Sequence, residues 1–196
     1  GSVTATNGAG LTGSGTSFTA QADSNNPTGG AFSANGTAAT GGGSTSTITS
    51  GTTLTIDSRT DYAETQDATH SGLASSTLTI KSATLSGNSC GAYGAPSTIT
   101  GTTTQTVASG NCYLLTLTGT DNVGNVTTLT TTVKVDTTNP SAPGSFSFSG
   151  LSANAYWPGS GSVLYFQPGL AGNFTVAASG SADADFLEAK VVTARF

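Results

Sequence analysis

The sequence predicts an all-β protein, and three observations lead to that prediction. Only 8% of its 196 residues are charged, whereas 35% are hydrophobic. Most of the remainder is Thr, Ser, Ala, Asn and Gly, and these types supply strands and turns rather than helices. Short runs alternate between apolar and polar residues with a period of two, as half-buried strands do. No sustained helical period competes with this pattern, since the best candidate, residues 182–191, is short.

Four alternating runs account for the predicted strands of the central part of the chain. In the last run, Leu129, Val133 and Val135 share one face and Lys134 points to water. A period of two with one apolar face is typical of antiparallel sheets that pack on a core. Two such sheets make a β-sandwich. The runs are Thr53–Ile56, Ser76–Lys81, Tyr113–Leu117 and Leu129–Val135.

A repeated motif divides the chain into units. Residues Asp23–Pro27 read DSNNP and residues Asp136–Pro140 read DTTNP. A turn sequence precedes each motif, NGAG at Asn7–Gly10 and DNVGN at Asp121–Asn125, and the proline ends a strand because it cannot donate to a ladder. The chain is therefore expected to be part of a tandem array. The expected units are a closing hairpin at residues 1–26, a complete repeat at 27–140 and the front of a further unit at 141–196.

The end of the complete unit resembles the bacterial immunoglobulin-like (Big-type) repeats. In that family a strand containing tyrosine leads to a D-x-x-G-N turn, and V-D-x-T-x-P closes the unit; here Tyr113–Asn125 and Val135–Pro140 carry these features. The resemblance implies an immunoglobulin-like antiparallel β-sandwich with a structural role in large secreted or cell-surface proteins. Stalks, adhesin shafts and filaments are built from such modules. The complete unit lacks tryptophan, so the antibody-type core is not implied.

Two cysteines, Cys90 and Cys112, allow one pairing. In a reducing compartment they would be incidental thiols, and in an oxidising one they would form a disulfide. Low charge, many hydroxyl side chains and the repeat favour secretion, so we expect an extracellular protein with this disulfide. By the loop-entropy argument, it would stabilise the fold by roughly 3 kcal/mol.

The charge pattern limits the partners. The chain carries 10 acidic and 5 basic residues, and its Lys and Arg are not clustered. Binding to nucleic acid or to an anionic membrane is therefore disfavoured, and no apolar stretch is long enough for a membrane span. The expected partners are neighbouring copies. One hypothesis is that residues 1–26 and 141–196 complement each other by strand pairing, within a chain or between subunits; the alternative is that both ends are arbitrary boundaries.

Two groups of oxygen-bearing side chains are candidate calcium ligands, because hard cations take several oxygen ligands. No D-x-D-x-D-G loop is present, and the alternative for the first group is a solvated acidic loop. The first group is Asp57, Asp61, Glu64 and Asp67; the second, near a unit junction, is Asp121, Asn122 and Asp136.

The sequence does not predict an enzyme. His70 is the only histidine, and no G-x-S-x-G nucleophile motif accompanies it. Glycoside hydrolysis needs two carboxylates at a defined separation, and the acidic group lies in a turn-rich segment with no aromatic platform beyond Tyr62. A binding role is the alternative to a structural one, since Tyr156, Trp157 and Tyr165 could stack on sugar rings if exposed, or fill a core if buried.

Overall fold

Every regular element of the described residues is a β-strand, which confirms the predicted all-β class. The computed structural model describes residues 1–43, 45–65, 67–101 and 103–186, and the backbone of 191–195. Within these ranges there is no helix that could cross a membrane. The strands are β1 (Ser2–Val3), β2 (Thr16–Ser17), β3 (Ala31–Ala34), β4 (Thr37–Ala38), β5 (Ser46–Thr49), β6 (Thr53–Thr60), β7 (Leu73–Ser86), β8 (Ser89–Cys90), β9 (Ser97–Thr98), β10 (Thr104–Thr106), β11 (Asn111–Asp121), β12 (Val126–Val135), β13 (Ser145–Ser149), β14 (Ala155–Tyr156), β15 (Tyr165–Phe166), β16 (Asn173–Ser179) and β17 (Val191–Arg195).

Two sheets form the central sandwich. One has the order β10-β6-β3-β4, and the other has the order β5-β12-β11-β7-β8 with β9 also paired to β7. The four predicted runs lie in β6, β7, β11 and β12. The expectation of purely antiparallel pairing is wrong at one edge, because β5 runs parallel to β12. Thr40 already reaches Thr130 before β5 begins, so the chain crosses between the sheets and then follows β12 in the same direction.

The core lies between these sheets and uses the predicted inward faces. Leu54 comes from the first sheet, and Leu115, Leu117 and Val133 come from the second; none of these side chains is exposed. Burying one such side chain stabilises a fold by about 1.5–3 kcal/mol. Period-two patterning thus reports correctly which face of each strand is inside.

Tyr62 closes one end of this core. Its ring lies between Gly30 and Gly119, and a Cβ atom added to either glycine would stand 2.6 Å or 2.5 Å from a ring atom. Its backbone N–H donates to the Ser76 hydroxyl. The close approach fixes the start of the loop between β6 and β7, which carries Glu64.

The predicted disulfide joins Cys90 to Cys112. Cys90 pairs with Leu85 of β7 and Cys112 pairs with Ala83 of the same strand, so the bond stays within one sheet. These four residues form a small second core with Tyr93 and Phe186. The bond differs from an antibody-type bridge between two sheets.

Near the start of the chain, β1 pairs with β2 in an antiparallel hairpin. That residues 1–26 close a preceding unit stays a prediction. Val3, Leu11 and Phe18 are each more than half exposed. Among the described strands, β1 and β2 pair only with each other, so pairing with the trailing strands within one chain is not observed.

The trailing part of the chain forms the sheet β13-β16-β17 and the hairpin β14-β15. The sequence also predicts strands in this part of the chain, at 146–148, 163–166, 174–178 and 188–196. The runs at 146–148 and 174–178 lie within β13 and β16. Of the run predicted at 163–166, only Tyr165–Phe166 is a strand. The run predicted at 188–196 overlaps β17, and its remaining residues lie outside the described part. None of the described side chains between 141 and 186 is fully buried.

Candidate functional site

The predicted turn between β11 and β12 is built on Asp121. Its Oδ1 accepts the N–H groups of Val123 at 3.0 Å and Asn125 at 2.7 Å, and its Oδ2 accepts the Asn125 amide at 2.7 Å. Burial alone would raise the pKa of Asp121, which is 2% exposed, but these hydrogen bonds hold the pKa below its ordinary value. The buried carboxylate is therefore ionised at neutral pH.

Asp23 reaches this turn from the segment that leads into the sandwich. Its carboxylate accepts the N–H groups of Asn25 and Ser71, and its carbonyl accepts the Asn125 amide at 3.4 Å. Hydrogen bonds from Asn25 and Ser71 lower the pKa of Asp23. A second ionised carboxylate thus lies at the end of the sandwich where the chain enters.

Glu64 is the third acidic residue at this end. The loop that carries it is positioned by Tyr62 and by paired backbone hydrogen bonds between Thr28 and Ala63, at 2.9 and 3.0 Å. Both carboxylate oxygens of Glu64 are buried, and among the described residues only the Gly72 N–H is placed to act on them as a hydrogen-bond donor, lowering the pKa of Glu64. Burial raises the pKa of Glu64, and the charges of Asp121 and Asp23 raise it further.

These three residues form one group, which we call the entry site. One carboxylate oxygen of each lies within 4.8 Å of the others. Neither ion pair of the described residues involves Asp23, Glu64 or Asp121. Hard cations such as Ca²⁺ bind carboxylate oxygens, and their charge removes the repulsion between neighbouring carboxylates. The arrangement is chemically suited to a divalent cation.

The other predicted calcium ligands are distributed differently. Asn122 lies beside the entry site, but its side-chain amide donates to the Ser71 carbonyl at 2.9 Å. Asp57 accepts the Gly36 N–H at 2.7 Å, and Asp61 pairs with Arg59 at 2.7 Å. The hydrogen bond from Arg59 lowers the pKa of Asp61.

Asp136 lies at the opposite end of β12 from Asp121, so the structure separates two residues that the sequence groups. It forms a second acidic group, the exit group, with Asp183 and Asp185. A cleft of about 570 Å³ adjoins this group and is also lined by Pro140 and Phe186. Burial and the charges of Asp136 and Asp183 raise the pKa of Asp185.

His70 forms an ion pair with Asp67 rather than a catalytic triad. Its Nδ1 lies 3.0 Å from Asp67 Oδ1 and 2.9 Å from the Thr69 hydroxyl. A triad places the acid and the nucleophile on different ring nitrogens. Here the Asp67 carboxylate and the Thr69 hydroxyl both contact Nδ1. The hydrogen bond with Asp67 raises the pKa of His70.

The predicted aromatic ligand residues divide into two roles. Tyr156 and Tyr165 are exposed by 64% and 58% and lie opposite each other on β14 and β15, with ring centroids 6.4 Å apart. Trp157 instead packs edge-on against Phe148 at 5.5 Å and donates to the Gly161 carbonyl. Phe148 also contacts Phe174.

Sequence reasoning did not assign Asp23, Asp183 or Asp185 to a site, and it grouped Glu64 with the wrong neighbours. Asp23 could have been identified from the sequence, since it begins the repeated motif DSNNP. No sequence pattern identifies Glu64, because its position depends on the packing of Tyr62 against two glycines that are distant in sequence.

No family model, curated protein or solved structure matches this chain. The resemblance to bacterial immunoglobulin-like repeats therefore stays a prediction from the motifs.

Proposed function

We propose that this chain is a non-enzymatic structural module of an extracellular bacterial surface protein or filament, built around an immunoglobulin-like sandwich. The observation that carries the proposal is that the chain enters and leaves the central sandwich at opposite ends. Modules connected in this way add length when they are joined in series.

Strand β12 defines the distance between the two ends. Asn125, directly before it, contacts Asp23 of the entering segment. Asp136, directly after it, lies in the exit group with Asp183 and Asp185. Ten residues of extended chain span about 33 Å. The points of entry and exit are therefore separated by the length of the sandwich.

Both connections are attached to the sandwich. On the entry side, the Thr127 hydroxyl donates to the Pro27 carbonyl at 3.0 Å, and the Asn25 amide donates to the Thr69 carbonyl at 3.0 Å. On the exit side, the Asn88 N–H donates to the Asp185 carbonyl at 2.7 Å. Such contacts restrict bending at the junctions, as a stiff shaft requires.

The repeated motifs also have matching local structure. Asn7 Oδ1 accepts the N–H groups two and four residues later, as Asp121 Oδ1 does. Asp23 and Asp136 each accept the N–H two residues later. This correspondence supports the interpretation of residues 1–26 as the end of a preceding unit of the same kind.

Small-angle scattering of head-to-tail fusions tests the proposal. We expect the maximum dimension of fusions of one, two and four copies to increase in proportion to copy number. A dimension that levels off, as in a flexible or collapsed chain, would contradict a shaft role. Replacing residues 24–30 by a Gly/Ser linker of equal length is the control and should reduce the increase, because such linkers behave as random coils.

The exposed Tyr156–Tyr165 pair favours an adhesive carbohydrate-binding module as a second candidate. Sugar rings stack on exposed aromatic faces, and these two lie on one short hairpin. Binding to a glycan array that is lost in Tyr156→Ala and Tyr165→Ala would support it. Phe18→Ala, at an aromatic residue that is 54% exposed and lies outside this hairpin, is the matched control.

A further inference from the structure

The trailing part of the chain is attached to the central sandwich through a short hairpin at the end of β7. This exit hairpin spans Leu85–Cys90, and its turn residues Gly87 and Asn88 have φ angles of 54° and 66°. Positive φ at both central residues is the geometry of a type I′ hairpin turn. The N–H groups of these two residues donate to the carbonyls of Ala184 and Asp185 at 3.2 and 2.7 Å. The exit hairpin therefore holds the backbone of the trailing segment.

An aromatic contact belongs to the same junction. Phe186 packs against the small core that is built around Cys112 and that Cys90 also contacts. Asp183 Oδ1 accepts the N–H groups of Asp185 at 2.9 Å and Phe186 at 3.2 Å, and these bonds fix the loop that presents the ring. The backbone contacts and the apolar contact of the trailing segment thus both lie next to the disulfide.

The exit hairpin has a short ladder. Strand β8 contains two residues, Ser89 and Cys90, which pair with Ser86 and Leu85. A hairpin of this length is at best marginally stable in water. The disulfide joins Cys90 to Cys112, which is fully buried in β11 between β7 and β12. The bond therefore anchors the end of the hairpin to the interior of the second sheet.

Lys134 also reaches the turn of the exit hairpin. Its Nζ donates to the carbonyl and to Oδ1 of Asn88, at 2.8 and 2.9 Å, in a contact exposed to solvent. Such hydrogen bonds replace bonds to water and stabilise a fold weakly, whereas a covalent link restricts the chain as long as it is closed. The disulfide is therefore the stronger restraint on the hairpin.

We propose that the Cys90–Cys112 disulfide controls the stiffness of the exit junction and so makes this junction sensitive to reduction. The inference rests on the shaft role proposed above and adds a way to regulate it. With the bond closed, the exit hairpin holds residues 183–186, and the trailing part moves with the sandwich. With the bond open, β8 separates from β7, Phe186 loses the core against which it packs, and the trailing part moves independently.

The reductant is a dithiol, which opens the bond by thiol–disulfide exchange. Its thiolate attacks the sulfur of Cys90, the partly exposed cysteine, and Cys112 leaves as a thiolate. The second thiol of the reductant then displaces Cys90 from the mixed disulfide. The two protons of the dithiol pass to the two cysteines, the protein disulfide is reduced to two thiols, and the dithiol is oxidised to its own disulfide.

NMR relaxation of the whole chain, before and after reduction with dithiothreitol, tests the proposal. In the oxidised chain we expect β13 and β16 to share one rotational correlation time with β11. In the reduced chain they should tumble faster than β11, while the core of the sandwich stays folded. Hydrogen exchange at the Gly87 and Asn88 amides should accelerate roughly tenfold, since these amides lose their partners by local opening. A reduced chain that keeps one correlation time, or that unfolds as a whole, overturns the proposal.

Two variants separate this role from a general loss of stability. Cys90→Ser/Cys112→Ser should behave like the reduced chain without any reductant. Val133→Ala weakens the core of the sandwich and leaves the junction contacts in place, so it should keep one correlation time and the wild-type exchange at Gly87 and Asn88. Equal acceleration in both variants would mean that the bond acts through global stability, which overturns the proposal.

Lys134→Ala tests the competing restraint. It should accelerate exchange at Asn88 by less than the cysteine variant does, and a larger effect would assign the anchoring of the hairpin to Lys134 instead. The paired Thr28 and Ala63 amides on the entry side are the internal control, and acceleration there as well would also overturn the proposal. Fusions that fail to lengthen in series would contradict the shaft role, but they leave this comparison of oxidised and reduced single chains unchanged.

Discussion

The central sandwich and the trailing sheet are both made of short alternating strands, yet they are stabilised very differently. In β11, Leu115 and Leu117 have no exposed surface. In β16, the central strand of the trailing sheet, no described side chain is fully buried. Phe146 of the neighbouring strand is 45% exposed. Alternating apolar and polar residues give a strand one apolar face and one polar face. The apolar face becomes part of a core only where a second sheet packs against it.

Removing the disulfide of the central sandwich has the largest expected effect on stability. The Cys90→Ala/Cys112→Ala double variant should lose roughly 3 kcal/mol of unfolding free energy, because a link across 22 residues no longer restricts the unfolded chain. Urea unfolding with and without the bond measures the loss.

Hydrogen exchange in the hairpin of residues 1–26, far from the bond, is the internal control and should be unchanged. An unaltered urea midpoint would mean that the bond does not constrain the sandwich.

A matched pair of valines compares the two regions directly. Val133→Ala should cost about 2 kcal/mol, since two fully buried methyl groups are lost and a cavity remains. Val176→Ala, in the half-buried trailing sheet, should cost less than about 1 kcal/mol. Chemical denaturation followed by exchange measurements separates the two regions, and equal costs would mean that the two regions are packed equally well.

Glycines provide a test of packing density. Gly119→Ala places a methyl group against the buried Tyr62 ring and should destabilise the sandwich by about 1–2 kcal/mol. Gly144→Ala, next to the trailing sheet, has its nearest neighbour at 3.9 Å and should be close to neutral. Thermal melts of both variants measure the difference in melting temperature. A Gly119→Ala variant that melts at the wild-type temperature would contradict tight packing around Tyr62.

The contact between the two regions should depend weakly on pH through Asp185. Its pKa is raised above 3.8 by burial and by Asp136 and Asp183, so stability at this contact is lost as pH rises from 3.8 through the folded-state pKa. Asp185→Asn should therefore slow exchange of the Gly87 and Asn88 amides at pH 7, since these donate to Ala184 and Asp185.

Below about pH 3.8 the variant and the wild type should agree, because Asp185 is then protonated in both the folded and unfolded states. Asp57→Asn is the control for an exposed carboxylate elsewhere. A difference that persists in acid would point to a cause other than charge.

The sequence predicts the local features of this protein well. The inward faces of β6, β11 and β12, the Asp121 turn and the disulfide all follow from patterns within a few residues or from a single possible pairing. The parallel edge strand β5 could not be predicted, because Ser46–Thr49 has the same composition as an antiparallel strand.

The entry site could be predicted only in part. Asp121 was recognisable from its turn, but Glu64 reaches the site through long-range packing. Asp121 comes before β12 in sequence and Asp136 comes directly after it. The length of the strand therefore separates them in space. Proximity to a motif therefore did not imply proximity in the fold.

The turns at Asn7 and Asp121 bear on how such modules could diversify. Both turns use one side-chain oxygen in the same way, yet one residue is neutral and the other is charged. An aspartate-to-asparagine change needs a single base substitution, and it would keep the two backbone hydrogen bonds of the turn while removing a carboxylate. Selection could thus vary the charge at a junction without disturbing the architecture that positions it.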